Sequence, residues 1–136
     1  MAPSEKHFVA YHNTEGMGRP LSDGDPFRVL TNKAVTSLQE AVVWMIVGEG
    51  KNPRRFSLGS MFRVTETGDA AEEGFKHFAA GRGHAFNPPL PLNELEWFDD
   101  FKRAMNGFQF GIQPLSSEQH VAALVALAEK AGCNVP

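Results

Sequence analysis

The stretch Ala41–Glu66, AVVWMIVGEGKNPRRFSLGSMFRVTE, leaves this chain few ways to fold. Its first part, Ala41 to Val47, is a near-continuous apolar run containing Val42, Val43, Trp44 and Ile46. Such a run predicts a strand buried on both faces. The second part alternates, as a strand with one buried face does. Phe56, Leu58, Phe62 and Val64 fall on one side, and Arg55, Ser57 and Arg63 on the other. Between the two lies Gly48–Arg54, which turns the chain and displays Lys51, Arg54 and Arg55 at one edge. The expectation is the heart of a small β-barrel with a basic rim.

A chain of 136 residues is the length of one domain, and a single core can stabilise it. No apolar run approaches the roughly 18 residues needed to span a bilayer. The first residues, Met1-Ala-Pro-Ser-Glu-Lys6, show no basic segment followed by an apolar one, so no signal peptide is expected. One cysteine, Cys133, excludes an internal disulfide and a cysteine-rich zinc site. A soluble cytoplasmic protein with no membrane partner is the expectation. The formal net charge of −3 argues against gripping long duplexes through phosphates alone, which favours basic proteins. Nucleic acid would have to be met by a local patch.

Elsewhere the punctuation is clear. His7–His12 predicts a first strand, with Phe8 and Ala10 on one face and Val9 and Tyr11 on the other. Asn13–Asp25 is a loop rich in Gly, Asn, Asp and Pro. Phe27–Thr31 predicts a short strand, and Ala34–Glu40 a helical turn capped by Thr36 or Ser37. Thr67–Gly74 reads as an acidic, solvated loop. Phe75–Phe78 is apolar at both ends, Gly81 and Gly83 then break regular structure, and Phe86–Pro91 is an irregular edge strand. Leu95, Phe98, Phe101 and Met105 recur at helical spacing after Asn93, with Gly107 placed to end the helix. Phe108, Phe110 and Ile112 alternate as a last strand. Ser116 with Gln119 resembles a capping box before Val121, Leu124, Val125 and Ala128, and Gly132 ends that helix. About five or six strands with two or three helices make an α+β domain.

The segments YHNTEGMG, TNKAV, VVWMIVGEG, RRFSLGSMFRV and LNELEWFDDFKRAMNGFQFGIQPL resemble a family of small bacterial proteins of uncharacterised activity. More remotely, the order of elements looks like the PUA-like superfamily, and EVE domains in particular. The resemblance implies a small, strongly bent PUA-like barrel flanked by helices. It also implies the recognition of a flipped, often modified, base in an aromatic-lined pocket.

Several residues suit that chemistry. Tyr11, His12 and Asn13 stand where the first strand runs into a loop. A base needs a π-face to stack on and donors or acceptors for its edge; Tyr11 offers the first and Asn13 the second. The alternative is that Tyr11 packs in the barrel and Asn13 is a turn residue. Trp44 is either core or a cap on the base. Lys51, Arg54 and Arg55 are the phosphate candidates, because Arg can form two parallel bonds to phosphate oxygens. Lys33, Arg82 and His84 would extend the patch if the fold brings them near. Alternatively, Arg54 or Arg55 pairs with Glu49 or Glu66, and such exposed pairs contribute little. Gly48-Glu-Gly-Lys51 lacks the spacing of a P-loop.

The five histidines are scattered, with no HExxH pair, and no GxSxG surrounds a serine. The expected function is therefore noncatalytic recognition of nucleic acid, a nucleotide or a modified base, with no cofactor, metal or catalytic residue. Two other readings stay open. One is a protein-interaction module that docks or forms a homodimer through the Trp97–Phe101 surface. The other is a metal-dependent nuclease, assembled from His12, His84 and distant acids, or another small enzyme.

Overall fold

β-Branched and aromatic residues crowd Val42–Glu49, and this strand (β3) is the axis of the molecule, buried from Val42 to Val47. The computed structural model describes residues 6–14, 25–51, 54–72, 74–108 and 111–136. Six strands form a curled half-barrel sheet among them. In chain order they are β1 (His7–Asn13), β2 (Arg28–Thr31), β3, β4 (Arg55–Glu72), β5 (Phe75–Pro91) and β6 (Gln113–Pro114). Their order across the sheet is β2–β5–β4–β3–β1–β6. β1 runs parallel to β3, and the other neighbours are antiparallel. Two α-helices among the described residues, α1 (Phe98–Ala104) and α2 (Glu118–Lys130), complete an α+β domain.

The two faces of β3 enter different cores. Val42, Trp44 and Ile46 join the layer that α1 and α2 cover with Phe98, Phe101, Leu124 and Ala128. Val43 and Met45 pack on the opposite face with Ala10, Val35, Leu38 and Ile112. The alternation of β1 holds as well: Val9 and Tyr11 face the helices, whereas Phe8 and Ala10 face away.

The alternation expected along β4 is broken in the middle. The register shifts between Met45 and Ile46 of β3 against Leu58 and Ser60 of β4. The extra residue, Gly59, turns the following side chains over. Phe56 and Leu58 therefore face the helices, while Phe62 and Val64 face the opposite core. Arg63 is carried to the helix side, where its Nε donates to the Pro136 backbone oxygen (2.7 Å) and its Nη1 to the Glu40 carbonyl (2.8 Å).

β4 and β5 are longer than their patterns suggested. The acidic segment after Glu66 is not a loop; β4 runs to Glu72 and pairs with β5 through a turn at Gly74, whose φ is +84°. Few of these residues are buried, so their hydrophobic pattern is faint. Nor do Gly81 and Gly83 break β5. They face Val64 and Phe62 across the ladder, and a Cβ on either would overlap the β4 backbone at Arg63 or Met61. Glycine lets the two strands close up where the sheet bends. Of Phe86–Pro91 only Leu90 and Pro91 take ladder positions, both against β4; the register skips residues 86–89, an irregular edge that tolerates Pro88 and Pro89.

The helix starts differ from expectation by four residues at α1 and by one at α2. Asn93 does not cap α1. Its Oδ1 accepts from the Phe56 amide (2.6 Å) and its Nδ2 donates to the Arg54 carbonyl (2.9 Å), so it staples the start of β4. Trp97 is the N-cap position, without a side-chain cap. Ser117, rather than Ser116, caps α2 by accepting from the His120 amide (3.3 Å). The turn before β3 is a 3-10 turn over Thr36–Leu38 that no side chain caps. Phe108 closes a second 3-10 turn and enters the helix-side core, whereas Ile112 enters the other; the last strand is only Gln113–Pro114. Phe110 lies outside the described residues.

The curl brings the two sheet edges together. Lys33, two residues beyond edge strand β2, donates from Nζ to the carbonyl of Ile112 (2.7 Å), the residue preceding edge strand β6. No β2–β6 ladder joins them among the described residues.

Candidate functional site

Parallel pairing of β1 and β3 sets Asn13 beside Gly48, so both strands end at one rim. β4 begins at the same rim, with Arg55 opposite Glu49. This places the end of the first strand against the Gly- and Arg-bearing loop, two segments that are far apart in sequence.

Arg54 ties the rim together. Its Nε donates to the Tyr11 hydroxyl at 2.9 Å, and its Nη2 to Asn13 Oδ1 at 2.7 Å. Nη1 donates to the Gly50 carbonyl at 2.8 Å, and Nη2 also reaches the Gly48 carbonyl at 3.2 Å. A guanidinium presents its donors in a rigid fork, so one side chain can fix two polar groups and the end of a strand at once. Three residues marked for separate tasks, Tyr11 and Asn13 for a base and Arg54 for phosphate, form one hydrogen-bonded unit.

The Tyr11 ring stacks on Phe108 (centroids 5.5 Å apart, interplanar angle 15°) and tilts against Phe56. Its hydroxyl end lies over Gly48, where a Cβ would overlap the phenol oxygen. Glycine is required there by close approach. The hydroxyl accepts from Arg54 and keeps its own proton to donate.

The other candidates are spread out. Trp44 has no exposed surface; it donates from Nε1 to His7 Nδ1 (2.9 Å) and stacks on that ring. It stands inside the core, away from solvent. His12 is 8% exposed and lies one position before Asn13. Lys51 is exposed. Arg55 is exposed too and reaches Glu49 at 3.8 Å, with side-chain exposures of 69% and 45%. An ion pair so open to water is worth little, and it leaves the cation accessible.

Lys33, Arg82 and His84 do not extend this rim. Lys33 is held at the sheet edges, and Arg82 and His84 lie opposite Arg63 and Met61. Eight residues of β4, roughly 25 Å of extended chain, separate Arg63 from Arg55.

Lys102 is a participant the sequence reading missed. Its Nζ sits 4.9 Å from the centroid of the Phe56 ring, which also contacts Tyr11 and Phe108. Its position on a helix gave no sign of the rim; only the packing of α1 on Phe56 brings it there. In the Trp97–Phe101 segment Phe98 and Phe101 are buried, Trp97 is half-buried with its ring edge-on to Phe101, and Asp99 and Asp100 are exposed. Among the described residues no three His, Cys, Asp or Glu side chains are grouped to hold a metal ion. No described helix is long and apolar enough to cross a membrane.

No protein-family model matches the chain, and no curated protein matches its sequence.

Proposed function

We propose that the chain is a noncatalytic recognition module for nucleic acid, a nucleotide or a modified base, acting at the Tyr11–Asn13–Arg54 rim. The observation that carries this reading is the Arg54 fork, which holds a phenol hydroxyl and a carboxamide side by side next to two exposed cations, Lys51 and Arg55. Tyr11 and Asn13 would read the polar edge of the ligand, and Lys51 and Arg55 would meet its phosphate. Arg54 is a positioning residue, its fork turned to Tyr11, Asn13 and the strand ends. Trp44 supports the wall from within rather than capping a base. The curled six-stranded sheet is the frame that a PUA-like or EVE-like module would need, and that assignment belongs to the same proposal.

Fluorescence anisotropy with labelled single- and double-stranded oligonucleotides, modified and unmodified, tests this at low salt. Binding is expected, with Lys51→Ala/Arg55→Ala weakening it by about 3- to 10-fold and flattening its salt dependence. Arg54→Ala is expected to erase discrimination between modified and unmodified ligands. The reading fails if no oligonucleotide or nucleotide binds at low salt, or if all three substitutions leave binding unchanged.

A further inference from the structure

The helical layer covers only part of its side of the sheet. It lies over Phe56, Leu58 and Met61 of β4 and Phe86 of β5, and reaches no farther than Arg63, whose Nε holds the Pro136 oxygen. Beyond that line the same face of β2, β5 and β4 carries a different set of side chains. Alternation along β5 puts Lys76, Phe78, Ala80, Arg82 and His84 on it. Register adds Arg28 from β2, opposite Ala80, and Arg63 from β4, opposite Arg82.

Two features of this face fit it to a ligand. Arg63 and Arg82 sit directly across from one another, a relation unfavourable for like charges; Arg63 already donates to the Pro136 oxygen and the Glu40 carbonyl, and Arg82 is exposed. Arg28, on the neighbouring strand, adds a third guanidinium diagonal to Arg82. Lys76, Arg82 and His84 are exposed, and Glu66, opposite Ala80, is the carboxylate that register places among these cations. On a chain of net charge −3 this is a concentrated reversal of sign. The second feature is aromatic. Phe78 lies over Gly68, where a Cβ would press into its ring, and Arg28 Cζ stands 5.1 Å from its centroid. A half-buried aromatic ring with a guanidinium held over it is a platform for planar groups.

We infer that this sheet face is a second binding surface, and that it takes single-stranded nucleic acid, with phosphates on Lys76 and Arg82 and a base stacked at the Arg28–Phe78 pair. Cations alone would accept any polyanion; the aromatic–guanidinium pair favours one that carries bases. The surface stands apart from the Arg54 rim and shares with it only the class of ligand.

The test is anisotropy of the full chain with a labelled oligothymidylate of about 15 nucleotides, within the span such surfaces occupy. Lys76→Glu/Arg82→Glu is expected to weaken binding at least ~10-fold, and the neutral Lys76→Gln/Arg82→Gln to lower the salt slope by about 1.4. The same Lys76/Arg82 loss is expected in a Lys51→Ala/Arg55→Ala background, because the two surfaces stand apart. Poly-glutamate at equal charge should compete poorly, and a thermal melt should show both variants folded. Unchanged affinity in both Lys76/Arg82 variants overturns the inference. Equal competition by poly-glutamate overturns it too, in favour of an acidic protein segment. Loss confined to Lys51→Ala/Arg55→Ala overturns it while leaving the Arg54 rim standing.

Discussion

Trp44 illustrates how little a side chain's type says about its task. An indole N–H is a donor only, so the 2.9 Å contact to His7 Nδ1 requires that nitrogen to be unprotonated. The His7 proton is therefore on Nε2 in the neutral ring. Nitrogen-15 NMR at neutral pH should show the Nε2–H tautomer, and Trp44→Phe should weaken the preference. The same substitution should cost about 1–3 kcal/mol in urea denaturation, since it opens space in a dry core and strands an acceptor. The burial of Trp44 was visible in the apolar run around it; its partner was not, because His7 is 37 positions away. Tyr11, Asn13 and Arg54 drew notice as polar groups at strand ends, but nothing in their local context links them.

Short-range rules worked best for the secondary-structure elements. Strand β3, the faces of β1 and the stripe of α2 follow from periodicity within a few residues. They worked less well where one residue changes the count. Gly59 reverses the second half of β4, and nothing in SLGSM marks which residue is extra; the shift is set by what the neighbouring strands need to bury. Helix caps are similarly sensitive. Ser116 and Ser117 both precede α2, and it is Ser117, with extended backbone at the N-cap, that accepts from the His120 amide. Ser117→Ala is expected to destabilise the protein by about 1 kcal/mol, and Ser116→Ala to leave the urea midpoint in place. Equal effects from the two would refute the assignment of the cap.

Across the closing edges of the sheet Lys33 makes a long-range contact. With no β2–β6 ladder among the described residues, the Lys33–Ile112 hydrogen bond spans the gap between the edges. Lys33→Met keeps the aliphatic stem and removes the donor. It should cost about 0.5–1.5 kcal/mol. Amide exchange should quicken in β2 and β6 while β3 remains protected. Uniform quickening would instead mean that the contact does not act at the edges.

Composition and local pattern alone settle an α+β chain, a doubly buried central strand and two amphipathic helices, because burial preference and backbone periodicity act over a handful of neighbours. Tertiary structure decides which cations cluster and which polar groups meet. Arg54 reaches Tyr11 across 43 positions, and Lys33 reaches Ile112 across 79. Such pairs depend on strand register, a bulge and the curl of the sheet. Those are set when the strands pair and the two cores close together, and no local window of residues contains that event.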